Sequence, residues 1–383
     1  MRFVITIAAS LCFLSASGFL GTNGFLGESA MAQAPAEVLT PYKAYKSALK
    51  EGDRSKAARQ AYAAWQAAEE LIGDSRITGD LADNYARSRN VSINDKQDAF
   101  KRAIALASYH GEDAYDVEVQ RHIKYIEWMI ENKGVRFQRG KPEVYVRTPN
   151  FKSVETLIEQ SGQTNSTYEA ELLALKSQYN LAKRNFSKAL KFAELSIEAF
   201  SKTTDNIPSH YVYLAQTYKA ESLYQLDRLL ETALVYQDLM TDIDKNLGVE
   251  TAVSKFAYAS WLDIKDILEK DGKVEDMKTT GISNYELPKS IKEGFHPLIR
   301  VPSLMPKMAR KSGHVKVIYN VDINGEVQDP KIVSSTDKIF ERGVLKAVRQ
   351  WRYPPNGPAD KRQNIESKVS FRLVDSKGKL IPE

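Results

Sequence analysis

The sequence predicts a multidomain protein in which a solenoid of helical hairpins is followed by a small α+β domain. Two observations carry this prediction. From about Pro41 to Gly272, apolar residues recur three and four positions apart, which is typical of a buried helix face. After Pro297 the period changes to two, which is typical of half-buried strands. The length of 383 residues allows two or three domains, and 43% hydrophobic with 27% charged residues is a globular composition.

The first 32 residues have the features of an export signal. Arg2 precedes the apolar run Phe3 to Leu14, and Ala30-Met31-Ala32 places small residues where a signal peptidase cleaves. Cleavage after Gly18 also satisfies the small-residue rule. The alternative is an uncleaved anchor from Phe3 to Leu20, at the short limit for crossing a bilayer. Either way, we expect the rest of the chain outside the cytoplasm, free after cleavage or anchored to a membrane.

Residues 33–271 are predicted to form the helical solenoid. A bulky residue followed three positions later by a small one recurs near helix starts, because the small residue lets paired helices approach. The copies are Phe100 with Ala103, Phe151 with Val154, Phe186 with Ala189 and Leu230 with Ala233, and Ala57 follows a turn in the same way.

This recurring pattern resembles the tetratricopeptide repeat. Tyr224, Leu230 and Ala233 match the spacing of that repeat. The small positions lie 35 to 51 residues apart, which is less regular than the ~34-residue standard. An irregular helical bundle is the alternative. A solenoid offers a groove for a protein or peptide partner.

The charge is distributed unevenly between the two parts of the chain. Residues 297–383 contain 17 Lys and Arg against 9 Asp and Glu, whereas residues 33–296 contain 36 against 39. The one cysteine, Cys12, lies in the signal segment, so the mature chain is expected to form no disulfide. A weakly periodic stretch, residues 272–296, contains three glycines and a proline and is predicted to be a linker.

The C-terminal region, residues 297–383, predicts a β-hairpin, a helix and a last strand. Val315 to Ile323 alternates apolar and polar residues, and Asn324-Gly325 predicts a two-residue type I′ turn with positive φ at both positions. Val327 to Val333 is the returning strand, and Ile339 to Trp351 carries one apolar helix face. Ile365 to Leu373 alternates again. We expect the first strand at the centre of the sheet and the last strand at an edge.

This order of elements resembles the C-terminal domain of the TonB family, which connects inner-membrane energy to outer-membrane receptors. The resemblance covers about Pro302 to Leu373, with Gly325 and Val327 matching the turn. Met305-Pro306 stands where the family usually has Tyr-Pro. The most specific matches are Phe340, Glu341, Arg342, Val344, Ala347, Trp351, Arg352, Tyr353 and Pro355.

The resemblance implies that TonB-dependent outer-membrane receptors add a short segment as a strand to the sheet edge. It also implies support of energy-coupled transmembrane transport, with an ExbB–ExbD-type motor or another envelope protein as partner of the helical repeats. The alternative function is a periplasmic adaptor without energy transduction. The resemblance thus implies the periplasm of a Gram-negative-type envelope, with the chain free or anchored to the inner membrane. Phe340, Ala347, Trp351, Tyr353 and Pro355 are expected in the domain core. The expected edge residues are Ile365, Glu366, Ser367, Lys368, Val369, Ser370, Phe371, Arg372 and Leu373.

Motifs for catalysis are absent from the sequence. It has no H-E-x-x-H, no G-x-S-x-G and no glycine-rich phosphate loop. The basic end lacks the interleaved aromatic residues of a nucleic-acid binder. We therefore expect a non-enzymatic protein without cofactor, metal or nucleic-acid partner.

Overall fold

The computed structural model describes residues 34–88, 91–132, 134–138, 141–145, 148–162, 166–203, 210–248, 251–286 and, with short gaps, 297–381. The predicted signal segment, Pro355 and Arg372 lie outside the described residues. Over these ranges, no helix combines the length and the apolar character needed to cross a membrane. The chain divides into two compact units, Met1–Arg184 with Glu198–Thr204, and Asn185–Ile197 with Asp205–Glu383.

The first unit is mainly helical, and its consecutive helices pack in pairs. Its core contains alanines that are almost fully buried, together with Trp65, Tyr85, Phe100 and Trp128. The helices are α1 (Ala36–Lys50), α2 (Arg54–Leu71), α3 (Arg76–Arg87), α4 (Ile93–Ala105), α5 (Ala114–Glu131), α6 (Phe151–Ser161) and α7 (Thr167–Ala182), with a 3₁₀ segment at Ala107–Asp113.

A short antiparallel hairpin interrupts this helical unit. Its strands are β1 (Gly134–Gln138) and β2 (Lys141–Tyr145), which pair from Gly134 with Tyr145 to Gln138 with Lys141. The hairpin was not predicted, since residues 134–145 were assigned to the helical body. Strands of five residues are too short for a period of two to stand out within helical sequence.

The helical part of the second unit has a separate core. Ala220, Ala233 and Ala257 are each 0% exposed and lie on successive helices, so the small side chains allow close helix packing. The helices are α8 (Phe186–Lys202, whose last residues belong to the first unit), α9 (His210–Gln225), α10 (Leu229–Leu247), α11 (Ala252–Lys270) and α12 (Val274–Thr279).

Replacing Ala233 with leucine is expected to destabilise the second unit by about 1–3 kcal/mol, because the larger side chain overpacks a filled site. Thermal denaturation followed by circular dichroism measures this loss. The matched control is Lys188→Leu at an exposed position of α8, expected to change stability by less than about 0.5 kcal/mol. Equal unfolding curves for Ala233→Leu and the wild type would show that the buried alanine is not at a tight helix contact.

The first part of the segment predicted as a linker packs against this core. Met277 of α12 is 1% exposed and Ile282 is 0% exposed. Both belong to the same hydrophobic cluster as the buried residues of α10 and α11. The hydroxyl of Tyr285 donates to the carbonyl oxygen of Gln237 at 3.1 Å. The proposed domain limits at 271 and 297 stay predictions.

The sheet of the second unit consists of three strands, β3 (Gly313–Val321), β4 (Val327–Ser335) and β5 (Ile365–Phe371). The strands are antiparallel and lie in the order β4-β3-β5. The 3₁₀ turn Lys338–Phe340 leads into helix α13 (Glu341–Val348), which packs on β4 and β3. The predicted α plus α+β fold and the predicted strand order are therefore confirmed. Beyond β5, a second pair joins β6 (Leu373–Val374) to β7 (Leu380–Ile381).

The turn between β3 and β4 differs from the predicted type I′ turn. Gly325 has a φ of +83°, but Asn324 does not have positive φ. The N–H of Gly325 donates to the carbonyl of Asp322, which defines a three-residue loop closed by a left-handed glycine. The Asp322 carboxylate accepts the N–H groups of Asn324 and Glu326, each at 2.9 Å, and this explains the preference for the longer loop.

Candidate functional site

Strand β5 forms one outer edge of the sheet. It pairs with β3 in continuous antiparallel register, from Gly313 opposite Phe371 to Tyr319 opposite Ile365. The central position of β3 follows from its composition, since Val315, Val317 and Tyr319 are 0–2% exposed. Among the described residues, no strand pairs with the other side of β5.

The direction of the backbone groups on β5 follows from a contact at the start of β3. The N–H of Thr336 donates to the carbonyl of His314 at 3.0 Å, so the backbone of His314 faces β4. Backbone direction alternates along a strand, so the odd-numbered residues of β3 face β5. The N–H of Val321, which donates to the carbonyl of Arg362 at 2.8 Å, agrees with this alternation. The β5 residues with backbone N–H and C=O groups directed to the free side are therefore Glu366, Lys368 and Ser370.

The opposite edge, along β4, is interrupted. The pairing of β3 with β4 shifts register twice, between Lys316 and Val317 and again between Ile318 and Asn320. Asp329 has a φ of +47°, and Pro330 lacks an N–H group. An incoming strand therefore meets a regular ladder along β5 and a broken one along β4.

The side chains of β5 alternate between the two faces of the sheet. Ile365, Ser367 and Val369 are half-buried on the face that carries the core, and Phe371 is 6% exposed. The intervening side chains, those of Glu366, Lys368 and Ser370, are exposed on the opposite face. An added strand would therefore meet an apolar face and a charged face.

A chain of hydroxyl groups connects the edge strand to the core. The Tyr319 hydroxyl lies 2.7 Å from that of Tyr353 and 2.9 Å from the Oγ of Ser367. Burial, and next the hydrogen bond with Tyr319, raise the pKa of Tyr353 well above its usual range. The Tyr353 hydroxyl is therefore neutral, and the chain of hydroxyl groups holds Ser367 in position on the inner face of β5.

Four residues predicted for the domain core are buried inside the domain. Phe340, Ala347, Trp351 and Tyr353 are 1–4% exposed, and the Phe340 ring stacks on Phe371 with centroids 4.6 Å apart. The fifth, Pro355, lies outside the described residues, as does the predicted edge residue Arg372. Leu373, also predicted for the edge, begins β6 and pairs with Ile381.

Contacts of Leu298, Arg300 and Val301, near the start of the predicted domain, with the Trp351 region were not predicted. The indole Nε1 of Trp351 donates to the carbonyl of Val301 at 2.9 Å, and the Arg300 guanidinium lies 4.5 Å from the ring centroid. The N–H of Leu298 donates to the carbonyl of Arg352 at 2.7 Å. A buried indole N–H requires an acceptor, but sequence alone does not indicate which carbonyl supplies it.

One part of the chain matches a known protein family. Residues 305–373 match the family model of the Gram-negative bacterial TonB protein C-terminal region. The match spans less than a fifth of the 383 residues, and it contains β3, β4, α13 and β5. No family match confirms the tetratricopeptide-like repeats, which stay a prediction. No curated protein matches the chain. The sheet domain at the end of the chain is thus similar to the C-terminal domain of TonB, and this similarity supports a TonB-like protein of the Gram-negative envelope with a part in transport.

Proposed function

We propose that this chain binds an extended segment of a TonB-dependent outer-membrane receptor along β5 and so supports energy-coupled transport. The observation that carries the proposal is the regular outer edge of β5, with which no described strand pairs, in a domain similar to the TonB C-terminal domain. The role is binding without catalysis, cofactor or metal. We propose the periplasm as its compartment, and the helical repeats as the contact for an ExbB–ExbD-type motor or another envelope protein.

The strength of such binding depends on more than backbone pairing. Glu366, Lys368 and Ser370 together offer three N–H and three C=O groups to an added strand. Each hydrogen bond contributes a net ~1 kcal/mol, whereas association costs about 4–15 kcal/mol in lost freedom. Backbone bonds alone therefore give weak binding. Apolar contacts with the half-buried inner face, at Ile365 and Val369, have to supply the rest.

Replacing Lys368 with proline is expected to abolish binding of a synthetic peptide with the TonB-box sequence of a receptor. Proline removes the outward N–H at the centre of the edge and leaves the ladder to β3 intact, because Lys368 and Lys316 form a pair without mutual backbone hydrogen bonds. Lys368→Ala keeps the N–H and is expected to bind almost as well as the wild type. Isothermal titration with the full chain measures both variants.

The control for folding is a proline one position along the strand. Val369→Pro removes an N–H that pairs with Val315, so it is expected to disrupt the sheet itself. Circular dichroism distinguishes that loss from the local effect of Lys368→Pro. If a folded Lys368→Pro variant bound the peptide as well as the wild type, the receptor segment would have to bind elsewhere, and the proposal for β5 would be wrong.

A further inference from the structure

Two lysines face each other on the exposed face of the sheet. Lys316 of β3 and Lys368 of β5 are directly opposite in the register, and both side chains are exposed. Their pair is the type without mutual backbone hydrogen bonds, in which the Cα atoms of an antiparallel sheet approach to about 4.5 Å. Like charges directly opposite each other destabilise a sheet. The free domain therefore carries a local repulsion at the centre of its outer strand.

The surrounding residues do not neutralise this pair. Glu366 lies opposite Ile318, one diagonal step from Lys316, and forms no ion pair with a described residue. Among the described residues of this domain, an ion pair joins Arg352 to Glu326 at 3.4 Å, away from the two lysines. Within the described part of the domain, neither lysine has a carboxylate partner. The two ammonium groups are available to an acid that arrives from outside.

The position of that acid follows from the geometry of strand addition. A residue that exchanges both backbone hydrogen bonds with Lys368 has its side chain on the same face as the Lys368 side chain. Its two neighbours in the peptide lie on the inner face, beside Ser367 and Val369. One residue of the added strand thus meets the lysine pair, and the residues before and after it meet the half-buried face.

We propose that the β5 edge selects an extended peptide with a carboxylate side chain at the position that faces Lys368, flanked on both sides by β-branched apolar residues. This inference rests on the proposed strand addition and specifies the chemistry of the partner. The carboxylate relieves the repulsion between Lys316 and Lys368. Its negative charge therefore contributes to the selectivity for the peptide as well as to the affinity. Glu366 disfavours a second acid at the peptide position that faces it, two residues from the first.

Two synthetic peptides test the proposal with the full chain. One has the sequence Ser-Thr-Val-Glu-Val-Thr-Ser, blocked at both ends, and the other has lysine in place of the central glutamate. Fluorescence polarisation at low salt is expected to show binding of the acidic peptide about three to ten times tighter, since each exposed ion pair contributes modestly and two lysines act together. At about 1 M salt the Debye length falls to about 3 Å and the difference is expected to shrink towards zero.

A charge exchange identifies the residue responsible. Lys368→Glu is expected to reverse the preference, so that the lysine peptide binds more tightly than the acidic one. The substitution replaces a repulsive pair with an attractive one opposite Lys316, so the variant is expected to fold. Lys338→Glu makes the same change of net charge at an exposed residue outside the sheet, and it is expected to leave the preference of the wild type unchanged.

The possible outcomes separate this inference from the proposed function. If the wild type bound both peptides with equal affinity and Lys368→Pro bound neither, the charge selection would be wrong, whereas strand addition at β5 would be supported. If neither peptide bound, and Lys368→Pro bound the receptor peptide as well as the wild type does, both the charge selection and strand addition at β5 would be wrong. Loss of binding to phosphatidylglycerol vesicles in Lys316→Gln and Lys368→Gln, without any change in peptide preference, would instead assign the lysines to an anionic surface.

Discussion

Alanine at Gly325 is expected to destabilise the sheet domain by about 3–5 kcal/mol and to abolish the edge with it. A Cβ at this position would lie 2.0 Å from the carbonyl oxygen of Tyr353. That oxygen belongs to the backbone, so no side-chain rotation relieves the contact. The φ of +83° adds strain of about 1 kcal/mol or more for any residue with a Cβ.

The close approach at Gly325 holds two parts of the domain together. The N–H of Tyr353 donates to the carbonyl of Gly325 at 2.8 Å, and Glu326 forms an isolated bridge with Arg352. Moving the turn away to admit a methyl group would break both contacts. The buried Tyr353, whose hydroxyl contacts Tyr319 of the central strand, would move as well. The cost therefore extends from the turn to β3 and its contact with β5.

The matched control is alanine at Gly272, which has a similar φ of +74° and no atom within 4 Å of its Cβ position. Only the backbone strain remains there, so a loss of about 1 kcal/mol is expected. Urea denaturation of the full chain, followed by the near-ultraviolet signal of the aromatic residues, compares the two variants. Similar losses in both would mean that the contact with Tyr353 contributes nothing.

The sheet domain could be predicted from sequence because its signals are local. The alternation along Val315 to Ile323 and along Ile365 to Leu373 requires only that one face of each strand be buried. The central position of β3 follows from its length and apolar character. The loop at Ile323 to Gly325 could not be predicted in detail, because the Asp322 side chain selects the turn through its own hydrogen bonds.

Contacts between distant segments were outside the reach of sequence patterns. The register of β3 with β5 places Lys316 opposite Lys368, and neither local sequence contains a sign of the other. The same holds for the contact of Val301 with Trp351, which joins residues 50 positions apart. The candidate edge was therefore predicted as a strand, whereas its charge arrangement is a finding of the structure.

Helix α9 is an element whose orientation could not be predicted from its sequence. Its buried residues include Tyr211, Tyr213, Ala215 and Glu221, which at about 100° per residue lie on several sides of the helix. A helix buried on several sides has no polar face to reveal its orientation. Glutamate is almost never fully buried unless it has a partner, so the sequence favours an exposed position for Glu221. The structure instead buries it, and stability should depend on pH as a result.

Glu221→Gln is expected to stabilise the second unit by about 3 kcal/mol at pH 8 and to have little effect at pH 4.5. Glu221 is 4% exposed, and its carboxyl group accepts a hydrogen bond from the Tyr236 hydroxyl at 2.8 Å. Burial raises the pKa of Glu221 to about 7, and the hydrogen bond from Tyr236 only partly opposes this rise. Tyr236 is itself 1% exposed, and no cationic side chain among the described residues forms an ion pair with Glu221.

The sign of the pH effect follows from which state holds the proton. In the unfolded chain the pKa of Glu221 returns to about 4.5, so between pH 4.5 and 7 the folded state binds more protons than the unfolded state. The free energy of unfolding therefore falls as pH rises through this window and stays low above it. A difference of about 2.5 pKa units corresponds to about 3 kcal/mol.

Glutamine has nearly the same shape and still accepts the Tyr236 hydrogen bond, but it does not ionise. Urea denaturation at pH values from 4.5 to 8 measures the effect, because urea, unlike guanidinium, adds no salt that screens charges. The control is Glu275→Gln at a side chain that is 79% exposed, whose curve is expected to stay parallel to that of the wild type. Parallel curves for Glu221→Gln as well would mean that water or a cation reaches Glu221 in solution. If the unfolding free energies of Glu221→Gln and the wild type diverge between pH 5 and 7, a buried, uncompensated carboxylate limits the stability of the second unit.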